Sequence, residues 1–152
     1  MKTLGVALAA SMLVASATAA SAQSFTFEAT EDGGATTVGG ARPDGTSFGG
    51  RMWKGKSVAD VGGRKISTTF TCVSLSQPPN DSIFPAHAVC DVTAPDGTYS
   101  LLMGCNFHNK EGTIVSCLGG SFGKTGSYVG KAGNMSLYTK AGKTTGTGQW
   151  FQ

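Results

Sequence analysis

The sequence predicts an all-β fold, a small antiparallel barrel of about eight strands held by disulfides. Three observations point there. Apolar residues recur with period two, and no window longer than a turn or two keeps a helical period. Clusters of Pro, Asp, Asn and Gly punctuate the chain at short intervals. All four cysteines fall on the apolar phase of their own segments. A wrong register would have put some of them on the polar side. A sandwich would share these signals, but a closed barrel removes the edges that an all-β protein must otherwise protect.

The elements follow in order. In SFTFEAT, Phe25, Phe27 and Ala29 share one face. Residues 31–50 are Gly-rich and read as a loop broken by a short strand. SVADV (Ser57–Val61) leaves room for one or two helical turns and no more. In KISTTFTCVS, Ile66, Phe70 and Cys72 lie in phase; in FPAHAVCDV, Ala86, Ala88, Cys90 and Val92 do. In TYSLLMGCNF the inward set is Tyr99, Leu101, Met103, Cys105 and Phe107, and in TIVSCLGG it is Val115 and Cys117. RPDG (Arg42–Gly45) and APDG (Ala94–Gly97) are two copies of one turn. Pro presets the first dihedral, Asp bonds the backbone locally and Gly supplies a positive φ. NKEG (Asn109–Gly112) reads as a hairpin, and QPPND (Gln77–Asp81) as a longer, stiffer connection. In the Gly-rich tail the glycines mark corners. Strands are expected to start at Ser127–Val129, then to run over Asn134–Lys140 and Thr144–Phe151.

Residues 1–22 have the layout of an export signal: Lys2, an apolar run from Leu4 to Val14, and a small-x-small site at Ala20-Ser21-Ala22. The Ala-rich style is bacterial, so a periplasmic or secreted location is expected, with residues 23–152 as one domain and no membrane span after cleavage. Without Lys2 the chain keeps 11 basic against 9 acidic side chains, a net charge of +2. The basic residues are scattered, which argues against a nucleic-acid partner. Oligomeric state is not legible.

Cys72, Cys90, Cys105 and Cys117 are an even set without a C-x-x-C pair, which in an oxidising compartment favours two structural disulfides over a zinc site or a redox pair. In a meander the neighbours Cys72–Cys90 and Cys105–Cys117 would pair. Cys90–Cys105 with Cys72–Cys117 is the rival, since four cysteines allow three connectivities.

Signals for chemistry are sparse. His87 and Asp91 share the phase opposite Cys90 and could act as an acid–base pair, although a solvent-facing polar pair explains them as well. His108 sits at a hairpin, where exposure is the default. GGSFGKTG (Gly119–Gly126) misses the phosphate-loop spacing by one residue. No metal, cofactor or nucleophile elbow is implied. Aromatic and sulfur side chains are better candidates. If the barrel is hollow, Arg51, Trp53, Phe70, Tyr99, Met103 and Phe107 would line a ligand cavity, with Tyr99 and Arg51 as its polar groups. If it is solid, they are its packing.

The tail GGSFGKTGSYVGKAGNMSLYT, followed by a Gly turn and GTGQW, resembles the end of the allene oxide cyclase and dirigent barrels. Thr125, Gly126, Tyr128, Gly130 and Gly133 fill the TG-x-Y-x-G-x-x-G pattern of related bacterial domains. The resemblance covers roughly residues 119–150. It implies an eight-stranded barrel with an apolar pocket that shapes a reactive ligand, but the families' catalytic positions have no match here and the four cysteines depart from their pattern. Three functions follow as expectations. The first is a secreted binder of a small apolar or aromatic ligand. The second is a cyclase, isomerase or dirigent-type enzyme working in the cavity. The third is a periplasmic inhibitor of lysozymes or proteases acting through exposed loops such as 119–128.

The export reading is checked by intact mass. The exported protein should begin at Gln23, and a start beyond about residue 30 would overturn the placement.

Overall fold

The computed structural model describes residues 22–41, 43, 47–76 and 83–151. The residues up to Ser21, in which an export signal is expected, the RPDG turn apart from Pro43, and the QPPND connection lie outside these residues.

Among the described residues nine strands run β1 (Gln23–Glu31), β2 (Thr36–Ala41), β3 (Ser47–Val61), β4 (Arg64–Ser76), β5 (Ala86–Ala94), β6 (Gly97–Phe107), β7 (Ile114–Gly123), β8 (Ala132–Lys140) and β9 (Lys143–Phe151). Each of β3 to β9 pairs antiparallel with the next, and β9 pairs with β1. β1 then pairs with β3 and shuts the ring. The result is a closed eight-stranded barrel with β2 as an extra strand.

β3 makes the closure work. One edge lies along β4 from Gly50 to Val61. The other edge is divided. Its N-terminal part carries β2, from Ala41↔Ser47 to Thr36↔Met52. Its C-terminal part carries β1, from Glu31↔Gly55 to Thr26↔Asp60. Gly55 sits at the changeover, and a Cβ there would collide with the Thr30 carbonyl.

The expected barrel, the alternation phases and the Asn109–Gly112 hairpin are all present. Asn109 organises that hairpin: its Oδ1 accepts from the backbone N–H groups of Thr113 and Ile114 at 3.0 and 2.9 Å. Both disulfides join neighbouring cysteines, Cys72–Cys90 and Cys105–Cys117. Each bridges directly opposite positions of adjacent strands. The rival pairing is not formed.

Three expectations are corrected. Ser57–Val61 is not helical; it is the end of β3, paired on both sides as far as Asp60, and two ladders of backbone hydrogen bonds outweigh its weak helix propensity. The stretch from Ser47 to Gly50 belongs to β3 rather than to a loop. Gly126–Tyr128 begins no strand, but forms a single 3-10 turn, with β8 starting at Ala132.

The interior is filled in a particular way. Phe25 lies opposite Gly148, Phe27 opposite Gly146, and Phe70 opposite Gly55. A Cβ on any of these three glycines would overlap the facing ring. Each inward phenylalanine thus occupies space that its cross-strand neighbour vacates. Around the two disulfides pack Ala86, Ala88, Met103 and Met135, with Trp53, Phe70, Leu101 and Leu137 at the margin.

Filling one of these spaces should be costly. Gly146→Val is expected to destabilise by about 1–3 kcal/mol, the usual range for overpacking. Phe27→Ala in the same chain should recover part of that loss. Thr145→Val, on the outer face, should stay within about 0.5 kcal/mol. Urea midpoints of the four proteins check the set.

Candidate functional site

The six residues expected to line one cavity are spread along the barrel. Trp53, Phe70 and Met103 pack in the cluster around the disulfides. Arg51 lies near them at one end of the barrel, with its guanidinium carbon 5.0 Å from the centre of the Trp53 ring. The same guanidinium is bonded to the Glu31 carboxylate in a bidentate ion pair. Tyr99 belongs to a second cluster at the opposite end, with Tyr128, Trp150 and Ala94. Phe107 ends β6 at the rim and is half exposed. The two polar groups expected to orient a ligand, Arg51 and Tyr99, therefore sit at different ends.

The aromatic end is plugged. Tyr99 lies 4.9 Å from Tyr128 and 5.1 Å from Trp150 between ring centres, and Tyr128 lies 5.3 Å from Trp150. Phe25 continues the chain of rings at 6.3 Å from Trp150. Burial pushes the Tyr99 phenol well above its ordinary range. Tyr128 is raised as well, mainly by burial and further by the Asp96 carboxylate beside it.

Tyr128 is held in place by two interlocked turns. Thr125 Oγ1 bonds both the backbone N–H and the hydroxyl of Thr98, at 3.0 and 2.9 Å. Ser127 donates its backbone N–H to the Asp96 carbonyl and its hydroxyl to the Asp96 carboxylate, at 2.9 and 2.8 Å. Between these contacts Gly97 and Gly126 touch backbone to backbone, and a Cβ on either would overlap the other turn. Their positive φ angles, 151° and 61°, also favour glycine. The Gly119–Gly126 stretch is accordingly the end of β7 and a clasp, rather than a phosphate loop.

His87 and Asp91 both face outward but are four residues apart on β5, about 13 Å along a strand, with Val89 between them. Asp91 instead accepts from Ser100 at 2.6 Å and pairs with Lys124 at 3.0 Å, in that order the causes that hold its carboxyl below the usual range. His87 packs edge-on against Phe84, and its Nδ1 is buried with no partner among the described residues. His108 is exposed and shares a 2.7 Å hydrogen bond with Ser116 Oγ. No trio of His, Cys, Asp or Glu among the described residues is placed to hold a metal.

A cleft of about 410 Å³ opens on the outside of the barrel, across β7, β8, β9 and β1. Its floor is the backbone of Gly119, Met135 and Gly148, which lie side by side in register. One wall carries Leu118, Ser136 and Thr147; the other carries Asn134, Gln149 and Ser24. Gln149 Nε2 donates to Ser24 Oγ at 3.4 Å, and Thr147 Oγ1 to the Phe25 carbonyl at 3.1 Å. None of the lining residues is charged. Sequence reasoning passed over this cleft, because polar positions alternating with glycine look like any solvated face until four strands are set in register. No family model matches the chain, and neither does any curated protein.

The buried phenols make the fold sensitive to alkali. Their folded pKa values lie above the unfolded value of about 10. Their contribution is intact below pH 10 and is lost as pH rises, because the unfolded chain ionises first. Tyr99→Phe removes one such group. It should lessen the loss of stability above pH 10 by up to about 1.4 kcal/mol per pH unit relative to the parent. Urea titrations between pH 8 and 12 read the difference.

Proposed function

We propose that the chain is a non-catalytic binding protein, exported to the periplasm or beyond, which takes a small uncharged ligand in the outer cleft over β7, β8, β9 and β1. The observation that carries this reading is the chemistry of the cleft walls. Asn134, Gln149, Ser24, Ser136 and Thr147 supply neutral donors and acceptors on both sides of a glycine-floored groove, with Leu118 as an apolar flank. Each amide both donates and accepts, and each hydroxyl does the same. Such walls suit a ligand bearing several hydroxyl or amide groups, a neutral sugar above all, better than the apolar or aromatic ligand expected for the interior. The volume is within the range of small-molecule sites, about 300–1,000 Å³.

The non-catalytic part rests on what lines the cleft. The residues there include no carboxylate, imidazole, thiol or amine. A serine with no base beside it is a weak nucleophile. A cyclase- or dirigent-type reaction inside the barrel would have to displace the rings of Phe25, Phe27 and Phe70 from over their glycines. Kinship with the allene oxide cyclase and dirigent barrels is likewise proposed. It rests on the motif at Thr125, Gly126, Tyr128, Gly130 and Gly133, which in this chain belongs to the clasp, the turn into β8 and the start of β8 itself.

Neutral mono- and oligosaccharides titrated into the labelled protein test the assignment. The side-chain amide signals of Asn134 and Gln149 should shift saturably. Asn134→Ala and Gln149→Ala should each weaken binding about tenfold, the usual worth of one hydrogen bond. Tyr99→Phe should leave the affinity unchanged. Binding that survives both cleft substitutions but is lost in Tyr99→Phe would move the site back to the interior.

A further inference from the structure

The outer face of the barrel over β3 to β7 is unusual for its lack of charge. Two rows of outward side chains cross it in register. One runs Gly50, Leu75, His87, Gly104 and Leu118; the other runs Met52, Val73, Val89, Leu102 and Gly120. Neither row contains Asp, Glu, Lys or Arg. Six of the ten are large apolar residues at roughly half exposure, from 44% for Met52 to 59% for Leu75. The row that follows along the strands is polar over β3 to β6, with Lys54, Thr71, Asp91 and Ser100, and ends on β7 at the exposed Phe122. The two apolar rows are thus bordered on that side by polar residues over β3 to β6, and the Gly50 row continues onto β2 at the exposed Val38.

We infer that this face is covered by a second copy of the same chain, packed sheet against sheet over β4, β5 and β6 with Met52 and Leu118 at the margins. The area fits that occupant. The six side chains expose on the order of 500 Å² of apolar surface, which is what an interface of ~800 Å² per partner carries. The largest apolar patch of an ordinary monomer is ~300–600 Å² and commonly serves an interaction. The chemistry fits as well. A two-fold interface sets one patch against itself, so like charges near the axis would meet, and a patch with none is self-complementary. A bilayer suits the band poorly: two rows span about 7 Å along the strands, against the ~25 Å apolar belt of a membrane barrel. The two glycines of the Leu75 row are shallow places already filled from their own chain, Gly50 by Leu75 and Gly104 by Phe84.

This inference does not depend on the outer cleft. Light scattering coupled to size exclusion, run on the exported protein over a hundredfold range of micromolar concentrations, should give twice the mass of one chain. Val89→Lys should halve that mass while the far-ultraviolet circular dichroism is retained. Val73→Lys, one strand away, should do the same and guards against a folding failure in the first variant. Thr145→Lys, on the far side of the barrel, should leave the double mass intact. A single-chain mass across the whole range would overturn the inference and leave the face to a different protein or to lipid. A double mass that persists in both lysine variants would overturn it too.

Discussion

Three phenylalanines set against three glycines determine what this barrel can be. An eight-stranded ring encloses an interior only just wide enough for side chains. Phe25, Phe27 and Phe70 fit inside because the residue directly across the ladder from each has no Cβ. The rings add apolar burial, and the glycines that make room for them are otherwise poor strand residues. Neither partner of a pair is tolerable alone, since glycine without the ring leaves a void and the ring against a Cβ forces the strands apart. Gly55 carries a second duty at the changeover where β3 leaves β2 and meets β1. Ring closure and interior filling therefore meet at one residue.

The same economy of space governs the plugged end. APDGT and KTGSY look like two separate turns, each with ordinary turn chemistry. In the folded chain they lock into each other, Thr98 to Thr125 and Asp96 to Ser127, with Gly97 and Gly126 in contact between them. The clasp is what holds Tyr128 across the barrel mouth against Tyr99 and Trp150. Its contacts are between residues 27 and 31 positions apart, so no local pattern announces it.

That distinction separates what was legible in the sequence from what was not. Alternation, turn residues and the cysteine phase are local, and they yielded the class, most strands and both disulfides. β3 was missed because its N-terminal part is rich in glycine and its C-terminal part is short of β-branched residues. Two neighbours, not its own propensity, make it a strand. A strand start is expected at Ser127–Val129 because a tyrosine between glycines has the right pattern without the register; a 3-10 turn over Gly126–Tyr128 stands there instead. Trp53, Phe70 and Met103 fall in one cluster and Tyr99 in another for a related reason. Phe70, Tyr99, Met103 and Phe107 do share the inward phase, but phase fixes only the side of the sheet. It says nothing of height along the barrel, and these four span it from the plug to the rim.

Height and angle also decide how the two outer surfaces relate. In a ring of eight, β9 lies four strands from β5 and hence on the opposite side. The neutral polar cleft is centred on β8 and β9, and the apolar band on β5. Leu118 on β7 is the one side chain that belongs to both surfaces, and it stands at the margin of each. A second copy seated on β4 to β6 would therefore leave both clefts open, facing away from the shared axis. Two sites held on one rigid body gain from each other only when a ligand is long or repetitive enough to reach both, because the second binding event then becomes intramolecular. For a small soluble sugar the pair would behave as two independent sites. For a polymer or a surface that repeats the same unit, pairing would raise the apparent affinity without changing a single contact in the cleft.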